Sequence, residues 1–169
     1  MEANKGLSEV ALEGLRSKIT KVLPSQIRSC VEQLSEEQLW WRPNEGANSV
    51  GNLVLHLSGS VRHYLSRGIG GLEYERNRPA EFAERNHLAK DQLLATFDET
   101  IRQATEVLNS FDTSRFLHTT EEPGYFQTLF DQVLGIALHM ATHMGQIVYV
   151  TKMLQEGSVH ELWIRAHRG

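Results

Sequence analysis

The stretch YFQTLFDQVLGIALHMATHMGQIVYVTKMLQ, Tyr125–Gln155, decides how this chain folds. Leu129, Val133, Ala137, Met144, Ile147 and Leu154 recur at three- and four-residue intervals, the spacing of a helix that buries one face. Further apolar residues fill much of the remaining circumference, as expected of a helix set among other helices. One band breaks the pattern. His139 and His143 stand four residues apart and so project from one side, a turn apart. Their neighbours on that side, Gln132, Gly135, Ile136, Thr142, Gln146 and Val150, form a mixed stripe of small and polar residues without the Lys and Glu of a solvent face. Polar groups inside a helical bundle have to be satisfied. Metal ligation would satisfy these, and solvation is the competing reading of the pair.

Outward from this segment the prolines act as punctuation, since each fixes φ and removes a backbone donor. Pro43, Pro79 and Pro123 fall in polar or Gly-rich loops. A first helix is expected from about Gly6 to Leu34, with Leu12, Ile19, Ile27, Cys30 and Val31 on its buried stripe and a kink at Pro24. Ser35, followed by Glu36, Glu37 and Gln38, reads as a capped turn. A second helix runs from Ser49 to about Ile69, capped by Asn48 or Ser49 and stopped by Gly68, Gly70 and Gly71. A third spans about Lys90 to Phe111 on a stripe that includes Leu94, Phe97, Ala104 and Leu108. The expected architecture is all-α, a four-helix bundle forming a single domain over residues 1–169. The Gly70–Ala89 link exceeds the usual bundle loop of ~2–8 residues. It fits a crossover that leaves helices two and three parallel. A polar tail follows from Glu156, with Trp163 and Ile164 as anchors.

Composition narrows the function classes. The 169 residues include 17 basic and 21 acidic side chains, a net charge of −4, so the basic footprint of a general nucleic-acid binder is missing. The single cysteine, Cys30, excludes an internal disulfide and a cysteine-built zinc site. The start MEANKGLSEV lacks the basic and apolar regions of a signal peptide. No segment is expected to span a membrane, and a cytoplasmic protein is expected. Among eight histidines, any metal must find imidazole ligands.

His56, in NLVLHLSGS on the second helix, shares its side with Ser49, Asn52, Gly59 and Ser60, small and polar groups that leave room for a site. It is the candidate third ligand opposite His139 and His143. His63 lies about 20° around and roughly 10 Å along from His56, too far to share one ion, and is a candidate pocket-wall residue. His87 and His118 fall in loops, and His160 and His167 in the tail.

NSVGNLVLHLSG (48–59), RNRPAEFAER (76–85) and HMATHMGQIVYVTKML (139–154) together resemble the DinB/YfiT-like superfamily of metalloenzymes, within it a branch known as a domain of unknown function. The resemblance implies a down-up-up-down four-helix bundle and a divalent metal, zinc or nickel, held by His56, His139 and His143. It also implies homodimers and a thiol transferase using a low-molecular-weight thiol such as bacillithiol or mycothiol. Asn48 stands where many relatives carry Trp. Hydrolysis of an amide-type bond is the second expectation, and a non-catalytic metal-binding or dimeric scaffold the third.

Residues around the ligands offer no convincing general base. Met140, Ala141 and Thr142 separate the two histidines, so there is no H-E-x-x-H motif. Gln146 and Asn52 are candidates to orient an imidazole from behind, and Gly145 is expected to permit close helix approach. Arg76 and Arg78 read either as surface ion-pair partners or as ligands for a substrate's carboxylates. Tyr64 and Tyr125 are candidate donors near the bundle ends, and Trp40 and Trp41 are expected to pack the first loop.

Overall fold

The computed structural model describes residues 6–85, 88–121, 124–157 and 159. Among these residues the protein is all-helical, with one isolated antiparallel bridge, Thr119 to Thr128. Pro123, His87, His160, His167, Trp163 and Ile164 lie outside the described residues. The first long segment joins α1 (Leu7–Ser17) to α2 (Leu23–Gln33) through a π-helical turn, Lys18–Val22. That turn is where the expected kink at Pro24 is absorbed. The proline has no N–H and its ring crowds the carbonyl four residues back, so the preceding turn widens and the Leu23 amide bonds Lys18 O instead.

Short caps then set each start. In α3 (Glu36–Trp40) Ser35 Oγ accepts from the Gln38 amide at 3.2 Å while Gln38 Oε1 accepts from the Ser35 amide at 3.0 Å. Ser49, not Asn48, caps α4 (Val50–Val61) in the same way with Asn52, and a second π-helical turn, Arg62–Arg67, extends it. The crossover is not a bare link, because α5 (Arg78–Ala83) forms inside it behind an Asn77 cap and Pro79. Next come α6 (Lys90–Ser110), a 3-10 turn (Thr113–Leu117) and α7 (Leu129–Leu154). The last helix starts four residues later than its periodicity suggests, since Thr128 Oγ1 takes the Asp131 amide and ends the loop there.

Packing brings α2 onto α7, and α4 onto α6, α7 and α5. Ile19, Ile27, Leu57, Phe97, Met140 and Ile147 are fully buried in the shared core. Contrary to the expectation from sequence, α7 is long and apolar enough to cross a membrane by length and composition, with a mean hydropathy of 1.3. Here it packs against α2 and α4, with His139 and His143 partly buried toward His56 and Thr142 and Gln146 exposed on the same band. Trp40 lies on Gly51, where any Cβ would meet the indole, and its Nε1 donates to Leu88 O at 3.2 Å. Gly145 departs from expectation: it is exposed, and a Cβ at this position would meet nothing within 4 Å. On α7 it is Gly135 instead that admits a neighbour, the Phe126 ring. Cys30 is fully buried, and burial pushes its thiol pKa up, so it packs and does not react.

Candidate metal centre

Three imidazoles meet between α4 and α7. His56 Nε2 lies 3.1 Å from His139 Nε2, which lies 3.0 Å from His143 Nε2. The ligand atoms of all three fall within 4.8 Å of one another. Helical spacing places His139 and His143 together, and packing of α4 across them supplies His56, as expected from the sequence.

The outer nitrogens fix which way the lone pairs point. His56 Nδ1 is 2.9 Å from Glu81 Oε2. Burial pushes the Glu81 carboxyl up, but hydrogen bonds from His56 and Arg76 outweigh it and hold the group below its ordinary value. An ionised Glu81 accepts only, so His56 Nδ1 donates to it, and in the neutral ring this leaves the Nε2 lone pair turned inward. His143 repeats the arrangement, with Nδ1 2.6 Å from Gln146 Oε1. In neutral rings so fixed, His56 and His143 both present Nε2 lone pairs toward His139 Nε2. Such an all-imidazole donor set suits zinc, nickel and related divalent ions.

Burial, followed by the neighbouring His143 and His56, pushes the His139 pKa down from 6.5 to about 4. Burial likewise lowers His143, against the pull of Gln146. Neutral rings are what metal ligation requires. In the metal-free protein these shifts make stability depend on pH. The unfolded chain takes up a proton at His139 near pH 6.5 and the folded chain near pH 4. Stability is thus fully present above pH 6.5 and falls as the pH drops toward 4. Melting temperatures of chelator-treated protein should show this decline, and His139→Gln should flatten it.

Behind His56 is a buried charge cluster that the sequence reading missed. Glu81 is 7% exposed, and Arg76 Nε and Nη2 donate to its two oxygens at 2.7 and 2.9 Å. Arg76 Nη2 also donates to Ser60 Oγ at 2.9 Å. Neither surface ion pairing nor a free carboxylate-binding arginine describes Arg76, while Arg78 lies over the Phe82 ring at 5.2 Å. The available signal was Asn77-Arg78-Pro79, a helix start that places Glu81 on one face of a short helix instead of in a loop. Gly59 makes the room: a Cβ there would overlap the Glu81 carboxylate. Gly59→Ala is expected to cost about 1–3 kcal/mol through overpacking and to weaken metal binding, read by thermal melts and by chelator competition.

Asn52 does not touch an imidazole. Its Oδ1 accepts within the Ser49 cap, and its Nδ2 donates to Glu81 O and Glu84 O at 3.0 and 3.1 Å, anchoring the segment that carries Glu81. His63 stands apart from the three-histidine group, its ring edge-on to Tyr64 at 4.7 Å. Gln132 is fully buried and bonds Thr120 and, at 2.5 Å, Tyr64 O, so this part of the polar stripe is satisfied by protein. Tyr64 packs edge-on to Phe126 at 5.3 Å, Tyr125 is exposed, and His118 is exposed in its loop.

Among curated proteins, none matches this chain. A helical fold with a possible three-histidine metal site is thus joined to a family without an assigned activity: over residues 8–168 the sequence matches, and the chain belongs to, the family described as "Protein of unknown function (DUF1572)".

Proposed function

We propose that this protein is a DinB/YfiT-like four-helix bundle, a single domain of down-up-up-down topology, that holds a zinc or nickel ion on His56, His139 and His143 and catalyses thiol transfer. The observation that carries the reading is the convergence of three Nε2 atoms, two of them with their outer nitrogens already engaged by Glu81 and Gln146. The bundle reading draws support from four long helical segments, with α4 against α6 and α7, and α2 against α7. A divalent ion on neutral imidazoles supplies Lewis acidity that brings a thiol or water ligand's pKa toward neutrality.

The protein's own groups favour a thiol over an amide substrate. Both Glu81 oxygens are committed, to His56 and Arg76, so this carboxylate orients and does not shuttle protons. Amide hydrolysis needs a proton delivered to the leaving amine. When a thiolate, its proton released to water, forms a C–S bond as the carbon's leaving group departs as a stable anion such as halide, no proton need be delivered, and with Cys30 buried the thiol arrives with the substrate. We further infer a cytoplasmic homodimer acting on small molecules, away from nucleic acid and membranes. The exposed Leu138, Ala141 and Gly145 on α7 support the pairing, which sedimentation velocity tests.

Metal analysis of purified protein, then a panel of thiols with a chromogenic electrophile and of amides without thiol, tests the whole reading. Thiol-dependent turnover that His56→Ala abolishes is the expected result. Amide turnover without thiol would replace it with a hydrolase. Stoichiometric metal with no turnover in either panel would leave a metal-binding scaffold.

A further inference from the structure

A groove of about 480 Å³ adjoins the three-histidine group through Gln146, with none of the three histidines among its lining residues, and its size falls within the ~300–1,000 Å³ typical of small-molecule sites. It continues the ligand stripes of both helices. Leu53 lies one turn before His56 on α4, and Gln146 and Val150 lie about one and two turns beyond His143 on α7. Gln146 belongs to both places, since the oxygen that holds His143 Nδ1 sits on a groove-lining side chain. Trp41 forms another wall, and Tyr149 and Met153 line it while 68% and 57% exposed. Among the described residues no charged side chain lines the groove, in a chain that is 22% charged. Arg76, beside His56, is engaged by Glu81 and Ser60, and Arg42, next in sequence to Trp41, by Glu45.

We infer that this groove is the specificity pocket of the metal centre, and that the substrate is a small molecule with an uncharged aromatic or branched aliphatic body and a metal-ligating head such as a thiol. The inference rests on the three-histidine reading and adds the substrate class to it. A body without charge removes apolar surface from water against Leu53, Val150 and Met153 at no desolvation cost. A carboxylate there would lose its hydration and find no cation among the described lining residues. Acidic thiols are thereby disfavoured, although the sequence had offered Arg76 and Arg78 as their partners.

The test uses zinc-loaded full-length protein and three probes: benzyl mercaptan, toluene as the body without the head, and mercaptosuccinate as the head on an acidic body. Calorimetry should give benzyl mercaptan at least about tenfold tighter binding than mercaptosuccinate. Val150→Arg should erase that preference at unchanged zinc content. Met153→Arg, at an exposed position that tolerates a charge in the folded state, should reduce it in the same direction. Equal binding of the two thiols by the wild type, or wild-type affinity for benzyl mercaptan in both variants, overturns the groove assignment. Failure of the metal reading looks different, because the wild type would then retain no zinc. Toluene, followed by ligand-observed NMR, decides in that case: binding that Val150→Arg removes supports the groove, and no binding overturns it.

Discussion

Glu81→Ala is expected to destabilise the protein by about 3–5 kcal/mol, the cost of leaving one member of a buried ion pair without its partner. The same variant should weaken zinc binding by ~10–100-fold, the usual effect of removing the group behind a ligating histidine. The two losses have separate origins. Arg76 would remain packed against His56 and Ser60 with its charge uncompensated, and His56 would lose the acceptor that keeps its proton on Nδ1. Glu81→Ala combined with Arg76→Met separates them: chemical denaturation should recover much of the lost stability, while chelator competition should still report the weakened affinity. Recovery of both would mean that Glu81 acts through the fold alone. Acid carries the same signature, since stability supplied by an ionised carboxylate is present above its ordinary value of 4.5 and is lost as the pH falls through the depressed folded value.

His139→Ala should lower zinc affinity by about 10²–10³-fold. A four-ligand structural zinc site is worth ~10–16 kcal/mol, so one ligand's share is roughly 2.5–4 kcal/mol. The thermal readout is as informative as the metal count. Saturating zinc at ~100 Kd should raise wild-type stability by about 2.7 kcal/mol and leave the variant unmoved under the same conditions. In chelator the zinc-dependent gap between the two proteins should close, because neither then holds the ion. His118→Ala, at an exposed loop position, is the control and should behave as wild type in both measurements. Retention of full zinc affinity by His139→Ala would remove the metal reading altogether.

The two α7 ligands were legible because one helix carries both, and the geometry of a helix makes residues four apart neighbours. His56 was legible more weakly, from the small and polar company on its stripe. Gln146 could be named because it sits three residues from His143 on the same helix. Glu81 could not. Its role depends on a short helix inside the crossover, on Arg76 five residues earlier, and on the space left by Gly59, three features with no common periodicity. Asn52 bonds the backbone of the crossover, because which partner a buried amide finds is decided by the segment that folds over it. Gly145 was misread for a related reason. Glycine marks a place where a side chain is absent, and only packing tells whether something fills the space, as Phe126 does at Gly135.

By itself, then, the sequence determined the helical segments, their caps to within a few residues and the spacing that aligns His139 with His143, all properties of a chain and its near neighbours. The packing of α4 on α7 decided that His56 completes the group. The crossover decided that Glu81 and Arg76 stand behind it, and the meeting of the first loop with α7 decided that the described residues lining the groove beside Gln146 carry no charge. Local periodicity cannot encode these, because they depend on which faces meet when distant segments bury their apolar surface together. The polar groups caught between those faces take whatever partners that burial leaves them.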